Sequence, residues 1–409
     1  MHRDSDVEDM ANFRVDKKAV QYMTGLLVFV NQWLLIREVM ALKRLAILLL
    51  FLMIILGVAA CEPEQHQQSE PVAVVEPEPE VESVKLAAVG DVMLARKVDR
   101  LMRSGGDDYP FAKLGQELQE ADLAFANLES PLSARGEPMP GKGICFRGRP
   151  EMVARLAQAG FDVVSIANNH ALDYDEPAFL DTLDLLTAAG IKAVGGGKNI
   201  TEARQPVIIE RKGLKIGFLA YTDYADIYFH NRYPRRFQAT DEISGVAPLV
   251  EAEIREDIAA LREQVDILVV SLHWGLEYVH ETDAARRQLA HTLIDDGADI
   301  ILGHHPHVLQ GIESYNDGLI AYSLGNFIFD QNQKLSTRQG LMLEVELTPQ
   351  GVGKATIYPV FIDESQPRIV SGEEAQDILD LVQKLSEDLD TILEVNQEGN
   401  LSVTTDPSF

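Results

Sequence analysis

Ile300-Ile301-Leu302-Gly303-His304-His305-Pro306-His307-Val308 is an apolar run that a glycine and three histidines close. The apolar residues are typical of a buried strand that ends at Gly303. A strand has no structural need for three imidazoles at its end, whereas neutral imidazole is a common ligand of transition-metal ions. The segment therefore predicts a strand that delivers histidines to a metal site. The alternative is a polar loop with one or two exposed histidines.

The composition is that of a globular protein with an acidic surface. The 409 residues are 46% hydrophobic and 24% charged, with a formal net charge of -28. Such a charge repels nucleic acid, so we expect no nucleic-acid partner. Two cysteines, Cys61 and Cys145, cannot form a disulfide framework. We interpret Cys145 as a small buried hydrophobic residue.

The N-terminal part carries a targeting pattern. Residues 40–60 run from Met40 through Lys43 and Arg44 into an apolar core and then Val58-Ala59-Ala60, directly before Cys61. A basic start, a short apolar core and small residues are typical of a secretory signal peptide. The following cysteine resembles the lipidation site of bacterial lipoproteins, which implies a protein of the cell envelope, outside the cytoplasm and anchored to the membrane through lipidated Cys61. Residues 1–39 precede that start, and we interpret them as an extension of the gene model. The alternative is a real additional segment, because residues 26–36 are also apolar.

The remaining boundaries follow from composition. Residues 61–83 are rich in Glu and Pro and cannot form a core, so we expect a disordered tether. We expect one folded domain over residues 84–365. Residues 366–409 should form a C-terminal helix over 373–395 and a loose tail from Asn396.

Within the domain, apolar β-rich runs alternate with helical segments, which indicates an α/β fold with parallel strands covered on both faces. The predicted helices cover 111–120, 151–159, 177–189, 247–264 and 284–296. Residues 206–221 instead predict a hairpin, as do 341–347 with 354–361. Function in such sheets collects at the carboxyl ends of the strands.

Polar residues follow the apolar runs at those predicted strand ends. They are Asp91, Asn127, Glu129, Asn169, His170, His273, His304, His305 and His307. Carboxylates, amides and imidazoles together suit Mn, Fe or Zn better than Ca, which prefers oxygen ligands. The sequence therefore predicts a divalent-metal site for one or two ions.

Six motifs in this order resemble the bacterial CapA-like family of poly-γ-glutamate capsule synthesis. They are Gly90-Asp91-Val92-Met93, Asn127-Leu128-Glu129, Asn168-Asn169-His170, His273-Trp274-Gly275, Gly303-His304-His305-Pro306-His307 and Gly325-Asn326-Phe327. The resemblance covers about residues 85 to 330. It implies a calcineurin-like metallophosphoesterase fold, a four-layer α/β/β/α sandwich with mixed sheets flanked by helices.

The resemblance also implies roles for single residues. Metal ligands would be Asp91, Glu129, Asn169, His273, His305 and His307, with His304 as the alternative to His305. His170, together with Asn169, would serve the chemistry, with His170 as general acid. Asp173 could join this group or cap the next helix. Met93 stands where the phosphoesterase pattern has a histidine ligand.

Substrate recognition would fall to basic residues on this acidic chain. Arg232, Arg235 and Arg236 lie in a basic and aromatic loop, and Lys142, Arg147 and Arg149 form a second basic group. Either group could hold a carboxylate-rich polymer, and an ordinary surface loop is the alternative. We expect metal-assisted hydrolysis or transfer on poly-γ-glutamate or a related envelope polymer, with capsule synthesis or export subunits as partners. The alternatives are a non-catalytic polymer-binding or export accessory with a degenerate metal site, and an envelope phosphoesterase.

Overall fold

The computed structural model describes residues 82–114, 116–227 and 235–405. The predicted signal peptide, the lipidation site Cys61 and the tether up to residue 81 lie outside the described residues. Arg232 of the basic loop lies outside them as well. Among the described residues, no helix combines the length and the apolar character that crossing a membrane requires.

The strands, in chain order, are β1 (Val84–Val92), β2 (Leu123–Leu128), β3 (Val163–Ser165), β4 (Lys192–Val194), β5 (Gly196–Gly197), β6 (Val207–Arg211), β7 (Leu214–Thr222), β8 (Gly245–Val246), β9 (Ile267–His273), β10 (Ile300–His304), β11 (Ile312–Tyr315), β12 (Gly318–Ala321), β13 (Asn326–Ile328), β14 (Gln339–Thr348), β15 (Gly351–Asp363), β16 (Gln366–Ile369), β17 (Glu394–Val395) and β18 (Leu401–Thr404). The helices are α1 (Arg96–Gly105), α2 (Glu117–Glu120), α3 (Met152–Ala159), α4 (Asp175–Ala188), α5 (Ile200–Ala203), α6 (Glu251–Arg262), α7 (Ala284–Asp295) and α8 (Glu373–Glu387).

The first sheet joins a parallel half to an antiparallel half. Strands β1 to β4 are parallel neighbours in chain order, and β14 pairs with β1 in the antiparallel direction. From β14 the sheet continues through β15, β18 and β17, while β13 pairs with β1 and β16 with β15. The parallel half directs the carboxyl ends of β1 and β2 to one edge.

The second sheet has the order β11-β12-β10-β9-β7-β6. Its four central strands are parallel, and the outer strands β11 and β6 are antiparallel to their neighbours. The register places His304 of β10 beside His273 of β9. The carboxyl ends of β9 and β10 therefore meet at one point.

Alternating side chains of the second sheet enter two different cores. Val269 belongs to the larger core, which also contains the first sheet, whereas its neighbours Leu268 and Val270 pack with α6 and α7 in a smaller core. The rings of Phe125 and Phe218 stack across the interior at 5.8 Å. A strand alternates its faces with a period of two, so the two sheets face each other with helices outside. The predicted four-layer α/β/β/α sandwich is confirmed.

Both predicted hairpins are present, but the prediction of a helix over 111–120 was wrong. Residues 111–120 do not form one helix: a 3-10 turn at Tyr109–Phe111 precedes the short helix α2. A glycine at position 115 disfavours a continuous helix by about 1 kcal/mol relative to alanine. Helix α3 begins at Met152, as expected for the predicted helix over 151–159.

The C-terminal segment is more ordered than the sequence predicted. Helix α8 ends at Glu387, not near residue 395, and Asp390 has a positive φ of 63° that cannot continue a helix. The expected loose tail instead forms β18, which pairs with β15. Leu401 and Val403 are buried apolar residues two positions apart, a strand-like spacing that the prediction overlooked.

Candidate metal centre

The ends of both sheets bring the predicted ligands together. Asp91 lies opposite Asn127 at the carboxyl ends of β1 and β2. His273 and His304 end the neighbouring strands β9 and β10. The backbone N–H of His305 donates to Asp91 Oδ2 at 3.4 Å, which links the two sheets. The strand-end motifs, far apart in sequence, therefore converge at one place.

Two glycines allow this close approach of the strands. A Cβ on Gly90 would lie 2.0 Å from the carbonyl oxygen of Gly325, and a Cβ on Gly303 would lie 1.9 Å from that of Tyr322. Any larger residue would push the neighbouring backbone away. Each glycine directly precedes a residue of the centre, Asp91 or His304.

Backbone strain orients the two histidines that follow β10. His305 has a φ of 96° and His307 a φ of 58°, both in a region that residues other than glycine rarely adopt. Such conformations cost about 1–3 kcal/mol each and concentrate at functional sites. They turn the chain at the end of β10 so that His305 and His307 both lie in the cluster.

Within the described residues, two sets of side chains offer atoms close enough to share an ion. Glu129, His273 and His305 form one set, and Asp91, Glu129 and His307 form the other, with the offered atoms within 4.8 Å of one another in each set. Glu129 belongs to both sets. This is the arrangement that a carboxylate bridging two ions requires.

The remaining predicted ligands lie beside these sets. Asn169 Oδ1 is 3.0 Å from His273 Nε2, so the amide oxygen is next to the first set. His304 belongs to neither set: its Nδ1 is 3.5 Å from Asp91 Oδ1, and its ring lies 6.0 Å from that of Phe125. The structure thus favours His305 over His304 as the ligand. Met93 is buried in the core.

The polar atoms of the cluster fit a metal ion. Both carboxylate oxygens of Glu129 and Nε2 of His305 are buried without a hydrogen-bond partner among the described residues. Leaving a buried polar group unsatisfied costs about 1–3 kcal/mol, and more for a charged one. A divalent cation would satisfy these atoms, and the mixed oxygen and imidazole donors suit Mn, Fe or Zn.

The two carboxyl groups of the cluster have pKa values shifted in opposite directions. Burial raises the pKa of Asp91, but the imidazoles of His304 and His307, whose Nδ1 atoms lie 3.5 and 3.2 Å from its oxygens, outweigh it and hold that pKa well below its usual range. Burial and the nearby charge of Asp91 raise the pKa of Glu129 well above its usual range. Without an ion, the cluster therefore favours a single carboxylate charge.

The histidines differ in the same way. Burial, followed by the proximity of His305, lowers the pKa of His273 well below its usual value, and burial and His307 lower that of His305. Burial also acts against the charged form of His307, but Glu129 and Asp91 raise its pKa to about 9. Neutral imidazoles are the form that binds metal. His273 and His305 are thus in the ligating form.

His170 lies beside the centre, and the carboxyl group of Asp173 contacts its Nδ1. Its Nδ1 is 2.6 Å from Asp173 Oδ2, and its Nε2 is 3.9 Å from Glu129 Oε1. Lys142 Nζ is 3.2 Å from the same Nδ1 and forms an ion pair with Asp173 Oδ1. The backbone N–H of Phe146 also donates to Asp173. The imidazole is therefore fixed with Nε2 directed at the cluster.

Asp173 does not cap the next helix, which was one of its two predicted roles. Helix α4 follows Tyr174, and no side chain caps it. Burial raises the pKa of Asp173 to about 7, although Lys142 acts in the opposite direction. Burial, followed by the charge of Lys142, lowers the pKa of His170 well below its usual value. His170 is accordingly neutral at rest.

Three buried asparagines support the centre; the sequence placed Asn127 among the candidate residues of the metal site but assigned no site role to Asn168 or Asn326. Asn127 Nδ2 donates to Asp91 Oδ1 at 2.8 Å and lies 3.3 Å from His273 Nδ1. Asn168 Nδ2 donates to Asn127 Oδ1, and Asn326 Oδ1 is 2.9 Å from His307 Nδ1. Their only sequence signal was their place at strand ends. Bonds of this kind orient ligands and select their tautomers.

The basic residues predicted to bind a polymer have local partners. Arg235 Nε pairs with Asp175 at 2.9 Å, and Arg236 Nη1 donates to the carbonyl of Asp226 at 2.8 Å. In the second group, Lys142 is in the buried pair described above, and Arg149 pairs with two aspartates of the segment around α1. The second group is therefore not one free basic patch. The role of Arg235 and Arg236 in substrate binding stays a prediction.

Two tyrosines border the cluster. The ring of Tyr224 lies 4.1 Å from that of His305, and its hydroxyl donates to the Gly275 carbonyl at 2.6 Å. The ring of Tyr278 lies 6.2 Å from that of His307, and Tyr278 has a positive φ of 66°. Aromatic walls beside a polar centre are typical of a substrate cleft.

Comparisons with known proteins agree with the sequence resemblance. The profile of the family described as bacterial capsule synthesis protein PGA_cap matches residues 85–331. The PGA biosynthesis protein CapA of Bacillus subtilis is 32% identical over 322 residues, which cover 78% of this chain and 82% of that protein. The capsule biosynthesis protein CapA of Bacillus anthracis is 31% identical over 312 residues, which cover 75% of this chain and 74% of that protein.

A solved Staphylococcus aureus protein described as a 5′-nucleotidase aligns at 15% identity and a TM-score of 0.41, over 74% of this chain and 58% of its own. The matched region contains every residue of the metal cluster. The chain belongs to the bacterial capsule synthesis protein family PGA_cap.

Proposed function

We propose that this protein is a metal-dependent enzyme of the cell envelope that cleaves or transfers the amide links of poly-γ-glutamate or a related capsule polymer. The family and the two relatives, which are named for PGA and capsule biosynthesis, support the polymer. One observation supports catalysis: an acid-held histidine, His170, directs Nε2 at the shared ligand Glu129. A protein that only binds a polymer has no need of such a proton carrier.

The metal would be held by the two sets that share Glu129, with Asn169 beside the first. When bound, divalent ions polarise a carbonyl and lower the pKa of water. The strain at His305 and His307 and the bonds from the three asparagines hold the donors in place before substrate arrives. The chain would thus supply a preorganised site rather than one that substrate must assemble.

His170 would carry the proton that amide cleavage must move. Water adds to the carbonyl carbon, the C–N bond breaks, and one proton passes from the water to the leaving nitrogen. Neutral His170 can accept that proton at Nε2 and then donate it, because Asp173 holds Nδ1 and stabilises the transient imidazolium. In a transfer reaction, an amine of a second chain would take the place of water.

The location forms part of the same proposal. The signal-peptide pattern before Cys61 and the Glu/Pro-rich segment after it support a lipid-anchored domain on a tether at the outer surface of the membrane. There the protein would meet a secreted anionic polymer and the capsule synthesis or export subunits. Recovery of the protein in the membrane fraction, and its release by Cys61→Ser, is the corresponding test.

The decisive experiment measures metal and turnover on the same protein. We expect stoichiometric Mn, Fe or Zn by elemental analysis, and a metal-dependent shift in the chain length of poly-γ-glutamate. His170→Asn should keep the metal but lose at least about a hundredfold in rate, the lower end for a general acid–base residue. His280→Asn is the matched control, because Nδ1 of His280 bonds to the Leu309 carbonyl outside the cluster.

Other results would replace the proposal. Cleavage of a generic phosphodiester with the polymer left intact would make the protein an envelope phosphoesterase. Metal with polymer binding but no turnover would make it an accessory. A protein without stoichiometric metal after purification and reconstitution would exclude the catalytic proposal.

A further inference from the structure

Arg96 is a cation beside the centre. It belongs to neither ligand set and takes no part in the proposed proton transfer by His170. It is the first residue of α1, which follows the strand of Asp91. Its φ of 52° places a residue other than glycine in the left-handed region. That conformation is costly and concentrates at functional sites.

The guanidinium of Arg96 reaches the centre through two aromatic rings. Its central carbon lies 4.5 Å from the centroid of Phe146, and the Phe146 ring stacks on His170 at 3.8 Å. The same carbon lies 6.0 Å from Phe329, whose ring is 4.7 Å from that of His307. One ring therefore separates Arg96 from the proton carrier, and one ring separates it from a ligand.

The guanidinium keeps donors available. Nη2 pairs with Asp330, whose second oxygen accepts from the backbone N–H of Lys97. Nε has no hydrogen-bond partner among the described residues, and the Arg96 side chain is 33% exposed. A guanidinium that stacks on a ring and retains free N–H groups suits a planar anion such as a carboxylate.

A second cation, Lys334, lies near the cluster. Lys334 Nζ is 4.7 Å from the centroid of Tyr278, and that ring lies beside His307. Gln331 fixes Tyr278 through a hydrogen bond of 3.2 Å to its hydroxyl. The centre thus has two cations near it, each one ring away from His307, on a chain with a net charge of -28. An anionic polymer would be repelled by that surface unless local positive charge attracted it.

We propose that Arg96 binds a carboxylate of the substrate next to the reacting amide and thereby selects a polymer of free acids. This inference rests on the proposed function and names the recognition residue of that site. In a γ-linked glutamate chain every residue carries one free carboxylate, so one neighbouring carboxylate is always within reach. Arg96 would act on substrate affinity, and His170 on the chemical step.

The test compares an acidic and a neutral substrate in the full chain. Wild type, Arg96→Gln and Arg96→Lys are assayed on oligo-γ-glutamate and on its methyl ester, with direct binding of both by calorimetry. We expect Arg96→Gln to raise KM for the free acid about ten- to a hundredfold, the loss expected of one charge-assisted hydrogen bond. The ester should be nearly unaffected, and Arg96→Lys should restore part of the affinity.

Arg368→Gln is the matched control, because Arg368 also lies over a ring, Phe361 at 5.5 Å, and pairs with an acid, Glu374, away from the cluster. Arg368→Gln should change neither the KM nor the binding of either substrate. A purely structural defect in Arg96→Gln would weaken the binding of both substrates equally, and that result would overturn the inference. If Arg96→Gln does not fold, the test uses Arg96→Lys and the wild type. The ratio of KM for the acid to KM for the ester is then compared between these two proteins.

Failure of the inference differs from failure of the proposed function. Wild type that binds the free acid through Arg96 but does not turn it over would refute catalysis and support the carboxylate site. Turnover with no dependence on Arg96 would refute only the carboxylate site. Wild type that binds neither oligomer would refute both.

Discussion

Replacing Glu129 with glutamine should change stability in opposite directions with and without metal. Without metal, both oxygens of Glu129 are buried and unsatisfied, and Asp91 is close. The raised pKa means that Glu129 must take up a proton when the metal-free chain folds at neutral pH, and glutamine avoids this cost, so the variant should stabilise the metal-free protein by about 1–3 kcal/mol. For a body of this size that is about 2–5 °C in Tm.

With metal the sign reverses, because Glu129 belongs to both ligand sets. A ligand at a hundred times its Kd stabilises the folded state by about 2.7 kcal/mol per site. Glu129→Gln should lose most of this gain and lower the metal content of both sets. Asp91→Asn belongs to one set only and should leave the other ion bound.

Thermal unfolding of the wild type and Glu129→Gln, each stripped by chelator and then reloaded, measures both effects. Glu313→Gln is the matched control, a buried carboxylate that is fully satisfied by Arg287, His291 and Tyr322. It should destabilise both forms equally. If Glu129→Gln destabilised the metal-free protein as Glu313→Gln does, Glu129 would be a structural residue, and the bridging role would be refuted.

Three further outcomes can be measured on single variants. Activity should fall as the pH drops through about 7, because Asp173 must be ionised to hold His170 and its pKa is about 7; Asp173→Asn should abolish this limb, and an unchanged pH–rate profile would contradict the relay. Glu313→Gln should cost about 3–5 kcal/mol in chemical denaturation, because it leaves buried partners unpaired; a loss below 1 kcal/mol would contradict this. Removal of residues 396–409 should lower Tm, because β18 pairs with β15; an unchanged Tm would show that the strand adds no stability.

Local chemistry explains why much of the site was predictable from sequence. Parallel strands align their carboxyl ends, so the apolar runs before Asp91 and Glu129 already indicated a shared edge, and those before His273 and His304 indicated another. The order of the motifs carried the resemblance, and the alternation of apolar runs with helical segments indicated sheets covered on both faces. The sequence favoured His305 as the ligand but left His304 possible.

Other features depended on contacts between segments distant in sequence. Lys142 looked like a free basic residue and is instead paired with Asp173, because the loop after β2 folds over the start of α4. Asn127 and Asn168 differ in no local way from turn asparagines, and only the approach of neighbouring strands makes them supports of the ligands. A side chain's partner is set by packing, which no local pattern encodes.

The histidine-rich end of β10 shows the same division. Its sequence alone determined that a buried strand would deliver several imidazoles to one point. The tertiary structure decided which of them face the shared carboxylate: the left-handed turns at His305 and His307 bring both into the ligand sets, and strand register leaves His304 beside Asp91 and Phe125. Backbone strain of this kind persists only because the surrounding core holds it, and that core comes from the whole chain.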